Sequence, residues 1–340
     1  MSTHHGKNAS AKASEENASV SSPISREDWK TGENRRKIQL MLSPKERLHL
    51  AAEIMEGVAL GDAFGEYFSY AAYDVRNRIN DELAKATWRY TDDTIMTLGV
   101  FECLSRLGEI DQDVLAWAFG VRFQQETERG YGKMARRTLR AIANGESWKE
   151  HSKNAFNGGS MGNGAAMRVS PIAAWFYDDL NKLVHQAKLS AQVTHWHHEA
   201  QIGAVAIAIA TAEAYNTREL SIDHAREQIS ASLNDHLEDS EVRDSVIKAL
   251  KMSDYNHLEA AIELGAGELI LTQDTVPYSI WCSLQYLDNY EEAMLCSVEP
   301  NGDCDTVAAI VGGIVTARIG KSSLPTSWLK HREPIIYQNI

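Results

Sequence analysis

Apolar residues return along most of this chain at intervals of three and four, the period of a helix that buries one face. After Ser43-Pro44, the residues Leu48, Ala51, Ala52, Met55, Val58 and Ala59 form such a stripe. The same spacing predicts helices over 114–123, 133–142, 180–191, 200–215, 240–252, 258–264 and 278–286, joined by short glycine-containing loops. From Ala204 to Ala210 the chain is small-sided and apolar all round, which suits a helix in the middle of a bundle. No period-two run with hairpin turns appears, and no internal repeat. The expected fold class is all-α. Residues 1–22 are rich in Ser, Ala, Asn, Glu and Lys with no apolar pattern, and read as a disordered tail. A serine cap, acidic residues and an aromatic follow at Ser25, Glu27, Asp28 and Trp29, then the apolar Ile38, Leu40, Met41 and Leu42. The chain therefore divides into an extension, 1–42, and a globular part, 43–340.

Two acidic stretches interrupt the apolar pattern, each directly before a helical stripe. One is Tyr90-Thr91-Asp92-Asp93-Thr94, followed by Ile95, Met96, Leu98 and Phe101. The other is Gly302-Asp303-Cys304-Asp305-Thr306, followed by Val307, Ile310, Val311 and Ile314. Carboxylates and hydroxyls are favoured there because unpaired N–H groups of a helix start face them. Thr91-Asp92-Asp93 alone reads as a cap, whereas capping explains one of Asp303 and Asp305 but not both. Brought together, the stretches offer four carboxylates and two hydroxyls, which repel one another unless a cation lies among them. An all-oxygen set suits a hard divalent cation such as magnesium or manganese.

At these residues the chain resembles the ADP-ribosylglycohydrolase family, and the likeness extends further. Gly57 to Gly65 is similar to the family's opening glycine-aspartate segment, and Arg129-Gly130-Tyr131-Gly132 to a family loop. Gly162-Asn163-Gly164-Ala165-Ala166-Met167-Arg168 with Ser170-Pro171 is similar to its most recognisable run, and Thr194-His195 to its Thr-His element, although His198 stands where a proline is usual. The six stretches follow the family's order over about residues 48–320. The resemblance implies a compact orthogonal helical bundle and a two-metal site. It gives Thr91, Asp92, Asp93 and Asp305 to one metal and Asp303, Asp305 and Thr306 to the other, with Asp305 bridging. It places Ser160, Met161, Gly162, Asn163 and His195 along the diphosphate and ribose. The activity it implies is hydrolysis of the bond between ADP-ribose and a protein side chain, arginine preferred, with Asp92 or Asp303 taking a proton. Ser69 stands where many family members carry glutamate, so the group that activates water stays open between those two aspartates. A second reading makes the chain a binding protein that blocks an ADP-ribosyltransferase toxin through its extension, with Trp29 and residues 38–42 as anchors.

Composition narrows the picture. With 340 residues, 44% of them hydrophobic, the chain buries a large core. A net charge of −13 opposes general nucleic-acid binding, because such a surface repels phosphate backbones. Cys103, Cys282, Cys296 and Cys304 form no paired-cysteine motif. Cys304, between two expected ligands, reads as a thiol in a reducing cytoplasm. No apolar leader or membrane span is written in the sequence. His195, His198 and Glu199 lack the spacing of a zinc motif.

Overall fold

The computed structural model describes residues 41–82 and 87–337, with the backbone alone for 71–73 and 80–82. The expectations for residues 1–40, Trp29 among them, lie outside the described residues. Among the described residues sixteen α-helices follow one another. The first are α1 (Pro44–Phe68), α2 (Val75–Glu82), α3 (Asp92–Leu107), α4 (Gln112–Gln125), α5 (Lys133–Ala143) and α6 (Trp148–Asn154). Then come α7 (Ser170–Phe176), α8 (Leu180–Gln192), α9 (His198–Asn216), α10 (Ile222–His236) and α11 (Glu241–Ala249). The last are α12 (His257–Leu264), α13 (Thr272–Gln285), α14 (Tyr290–Val298), α15 (Cys304–Ile319) and α16 (Thr326–His331). Short 3-10 turns and two isolated β-bridges complete the described secondary structure. The all-α expectation holds.

Local chemistry explains where these helices start. At α1 the Ser43 side chain accepts from the Glu46 N–H while the Glu46 carboxylate takes the Ser43 N–H, with Pro44 in the first turn. Six of the segments read from periodicity match α4, α5, α8, α9, α11 and α12 to within three residues at either end. The seventh differs. Expected from Tyr278, α13 begins at Thr272 and carries Pro277 inside it. The Asp274 carboxylate collects the N–H groups of Leu269 and Leu271 at 2.8 and 3.1 Å and fixes that earlier start. Proline at 277 then removes a single backbone donor from the helix.

Two helices set the frame of the site. Along α1, Gly57, Gly61 and Gly65 lie one turn apart and meet α15 in reverse order, so the pair is antiparallel. A Cβ on Gly61 would fall 2.1 Å from the Ala308 carbonyl oxygen, and one on Gly65 would fall 2.2 Å from that of Cys304. Only a hydrogen fits at these points. The seam draws Asp62, on α1, towards the first turn of α15. Around it, α9 is buried through Ala204 to Ala210 and packs on α7, α8, α13 and α15.

Candidate active site

The two acidic stretches are helix starts in the structure, and the fold brings them together. Thr91 caps α3 with Asp92 and Asp93 in its first turn, and Asp303 precedes α15 with Asp305 in its first turn. Asp62 reaches from α1 to the start of α3. Its carboxylate accepts from the Thr91 N–H at 2.9 Å, the Thr91 hydroxyl at 2.9 Å, the Thr94 N–H at 2.9 Å and the Thr94 hydroxyl at 2.6 Å. One buried carboxylate thus satisfies amides that a helix start leaves open. Carboxyl oxygens of Asp62, Asp93 and Asp305 lie within 4.8 Å of one another. The sequence offered Asp62 only as part of a glycine-rich segment. With its lone pairs taken by four donors, it acts as the anchor that holds Thr91 to Thr94 in place.

The remaining groups around this anchor fit a hard cation. Thr91 Oγ1 lies 3.0 Å and Thr306 Oγ1 3.4 Å from Asp93 Oδ2, while Asp93 Oδ1 is buried with no hydrogen-bond partner. A buried carboxylate oxygen without a donor is costly unless a cation or proton faces it. The carboxyls show the same demand. Burial, then Asp305 and Asp62, pushes Asp92 well above the usual carboxylate range, and burial, then Asp62 and Asp305, does the same to Asp93. Asp303 is pushed up to about 8 by burial and by Asp305. Cys304 does not enter the donor set: its thiol, buried and pushed up to about 12, faces the Val298 carbonyl at 3.6 Å. The donors at hand are oxygens alone, as magnesium and manganese prefer.

On the Asp303 side stands the loop 160–164. Asn163 Nδ2 donates to Asp303 Oδ2 at 2.5 Å and is 3.0 Å from Thr275 Oγ1. Its N–H reaches the carbonyl of Ile270, and the Thr272 N–H and hydroxyl hold the carbonyls of Met161 and Gly162 at 2.9 and 2.8 Å. Ser160 is buried, its hydroxyl accepting from the Gly162 N–H at 3.1 Å, and Met161 is partly exposed. Behind Asp303, Gly267 adopts a φ of +87°, and a Cβ there would fall 2.4 Å from Asp303 Cβ.

His195 lies against this same loop. A Cβ on Gly162 would come within 3.3 Å of His195 Nε2, and one on Gly164 within 3.0 Å of Cε1. The proton on its ring is assigned by a chain of donors. Arg168, fully buried, gives Nη1–H to Thr194 Oγ1 at 2.8 Å, which leaves the threonine hydrogen available to His195 Nδ1 at 2.7 Å. With that hydrogen given to Nδ1, the imidazole proton sits on Nε2, beside the glycines. Burial and then Arg168 push His195 down to about 3, so the ring is neutral. Among the described residues Arg168 has no carboxylate partner; it donates to the carbonyls of Gly164 and Ser190 and lies over the Phe119 ring at 4.6 Å.

On the Asp92 side stands the loop 129–132. A Cβ on Gly130 would lie 3.5 Å from Asp92 Oδ1. Arg129 donates to the Tyr90 carbonyl at 3.0 Å and pairs with Glu333, which also accepts the Tyr90 N–H at 2.9 Å. Glu333 is 243 residues from Tyr90, beyond the reach of any local pattern. Ser69 donates to the Glu66 carbonyl at 2.8 Å. Glu66, one turn after Asp62 on α1, is raised by burial and by the charge of Asp305. Glu66 shares a helix face with Asp62 and Ser69. His198 is exposed and faces the Asp239 carbonyl, while Glu199 accepts the N–H groups of Glu241 and Val242 at the start of α11. The fold thus brings the two acidic helix starts together, with Asn163 on Asp303 and His195 against the loop that carries Asn163.

A sequence model of the ADP-ribosylglycohydrolase family matches residues 43–338. ADP-ribosylhydrolase ARH3 of Homo sapiens is 27% identical over 323 residues, 81% of this chain and 86% of that protein. ADP-ribosylhydrolase ARH3 of Gallus gallus is 28% identical over 278 residues, 72% of this chain and 74% of that protein. ADP-ribosylarginine hydrolase Tri1 of Pseudomonas putida (strain GB-1) is 24% identical over 302 residues, 85% of this chain and 76% of that protein. A solved structure described as an ADP-ribosylglycohydrolase-related protein complex shares the fold, with a TM-score of 0.57 and 22% identity, covering 85% of this chain and 94% of that one.

Proposed function

The chain belongs to the ADP-ribosylglycohydrolase family, and from that premise we propose that it releases ADP-ribose from arginine side chains of modified proteins at a centre of two divalent cations, magnesium or manganese. Hydrolysis of ADP-ribose from modified substrates is the activity of the family. The observation that carries the finer reading is the meeting of two acidic helix starts at a buried, unpartnered Asp93 Oδ1. Thr91, Asp92, Asp93 and Asp305 would hold one cation and Asp303, Asp305 and Thr306 the other. Bound there, the cations supply a polarised water and a clamp on the ribose hydroxyls.

The chain's own groups do the rest. His195 presents a neutral Nε2–H beside Gly162 and Gly164, a donor that stays in place over the working pH range. Ser160 to Asn163 supply the wall on which the diphosphate and ribose lie. Asp303, oriented by the Asn163 amide, takes the proton of the attacking water as the glycosidic bond opens through oxocarbenium-like character. Asp92 serves the same end from the Gly130 side. Behind the arginine preference stands the Pseudomonas putida relative, an ADP-ribosylarginine hydrolase.

Turnover of arginine- and serine-linked ADP-ribosyl proteins, with and without magnesium, tests the reading. Release from the arginine linkage should need the metal and fall by about a hundredfold or more in Asp303→Ala and in Asp92→Ala with the helical content kept. Wild-type turnover in both variants would overturn it. We assign the extension, 1–42, to binding an ADP-ribosyltransferase toxin in an immunity role, through Trp29 and residues 38–42 and in the cytoplasm. Deleting it should leave hydrolysis intact and weaken affinity for a transferase encoded beside the gene; the reverse pattern would refute that assignment.

A further inference from the structure

One face of α5 gathers cations in a chain whose net charge is −13. Lys133, Arg136, Arg137 and Arg140 recur at i, i+3, i+4 and i+7, so they share a face. With Tyr131 and His151 they line a cavity of about 650 Å³. Like charges at these spacings repel one another. The fold answers only part of this: Glu128 lies 3.3 Å from Arg136 and Glu146 lies 2.8 Å from His151. Among the described residues, the side chains of Lys133, Arg137 and Arg140 have no ion-pair or hydrogen-bond partner. Tyr131 also stands in the cavity wall, its hydroxyl buried and without a partner among the described residues.

The position of this groove says what it would meet. Tyr131 follows Gly130, which packs on Asp92, and Arg136 Nε holds the Tyr131 carbonyl at 3.1 Å. The Tyr131 wall of the groove is therefore one residue along the chain from the glycine that packs on Asp92. The loop assigned to ADP-ribose meets the site at a different carboxylate, Asp303. What remains for the Asp92 side is the protein to which the ADP-ribose is attached.

We propose that the α5 groove docks an acidic, Asp- and Glu-rich segment of the modified protein beside the modified side chain. The proposal rests on the hydrolase reading above and names the substrates it favours. The four cations span eight residues of helix, about 10 Å at 1.5 Å per residue. An extended peptide places alternate side chains on one side about 6.6 Å apart, so two or three of its carboxylates match that row. A single phosphate would engage one end of it.

Binding and turnover together test the proposal on the full chain. A labelled unmodified peptide rich in Asp and Glu should bind at least about tenfold more tightly than a Gly-Ser peptide of equal length, with an advantage that shrinks as salt rises. The double variant Arg137→Ala, Arg140→Ala should abolish that advantage; both side chains are exposed and unpaired, so the fold is left alone. With ADP-ribosylated peptides, acidic flanks should lower KM about tenfold with kcat unchanged, and the variant should equalise the two KM values at the wild-type kcat. Equal binding of both peptides to the wild type, or an acidic preference that survives the variant, would overturn it. So would a preference confined to phosphopeptides. Acidic-peptide binding that is lost in the variant, with no turnover of any substrate, would refute the hydrolase reading and leave the docking site standing.

Discussion

At the scale of residues, the relay Arg168–Thr194–His195 decides the chemistry offered to a ligand. A histidine in sequence is a donor, an acceptor or a cation; here its Nδ1 is filled by the Thr194 hydroxyl and its Nε2–H faces Gly162 and Gly164. Thr194→Val should weaken ADP-ribose binding about tenfold, the size of one lost hydrogen bond to a charged group, and Thr194→Ser should restore it. Imidazole nitrogen chemical shifts should show the Nε2–H form in the wild type and a mixture in the valine variant. Unchanged shifts and affinity would remove the relay from the mechanism. The same histidine shapes acid stability. Its folded pKa, about 3, lies below the ordinary 6.5, so the unfolded chain binds the extra proton between those values. Its contribution is complete above 6.5 and is lost as pH falls towards 3, at up to about 1.4 kcal/mol per pH unit. Replacing His195 with Gln should flatten the denaturation profile in that window. A slope as steep as wild type would show that His195 is not the group being titrated.

At the scale of elements, the seam between α1 and α15 sets the distance between Asp62 and Asp305. Gly57, Gly61 and Gly65 recur every fourth residue because each turn of α1 lies directly on the backbone of α15. Gly61→Ala forces a methyl group to 2.1 Å from the Ala308 carbonyl oxygen, which no side-chain rotation relieves. The helices must part, and about 1–3 kcal/mol of stability should go with the lost packing. Magnesium affinity should fall too, since α1 carries the anchor and α15 carries Asp305. Chemical denaturation with calorimetric titration of magnesium reads both. An alanine variant that is destabilised with wild-type metal affinity would mean that the seam supports the fold without setting the site. The periodicity showed most of these helices because an amphipathic stripe is a local property. It misplaced the start of α13, where Asp274 gathers amides of the preceding turn and Pro277 sits inside the helix.

At the scale of the whole molecule, carboxylates from three helices, Asp62, Asp93 and Asp305, come within 4.8 Å of one another, and Asp93 Oδ1 is left without a hydrogen-bond partner. Magnesium should therefore raise the melting temperature of the metal-free protein, by several degrees once its concentration exceeds the dissociation constant about a hundredfold. Asp305→Ala should abolish the rise, because that carboxylate stands between the two helix starts. A rise of equal size in the variant would place the stabilising ion elsewhere. The sequence by itself determined the helical class, most helix limits, and the two acidic helix starts, because caps and apolar periodicity are encoded within a few neighbouring residues. It also carried the glycines, the Asn163 loop and His195 as recognisable stretches. Tertiary structure alone decided what these residues face. It turned Asp62 from a member of a glycine-rich run into the anchor of α3, and brought Glu66 under the charge of Asp305. It tied Tyr90 to Glu333 across 243 residues and fixed the proton of His195 through a buried arginine. It also formed the α5 groove, whose Tyr131 follows the glycine that packs on Asp92. Hydrogen bonds and charge coupling act over a few ångströms in space, and separation along the chain does not encode that distance.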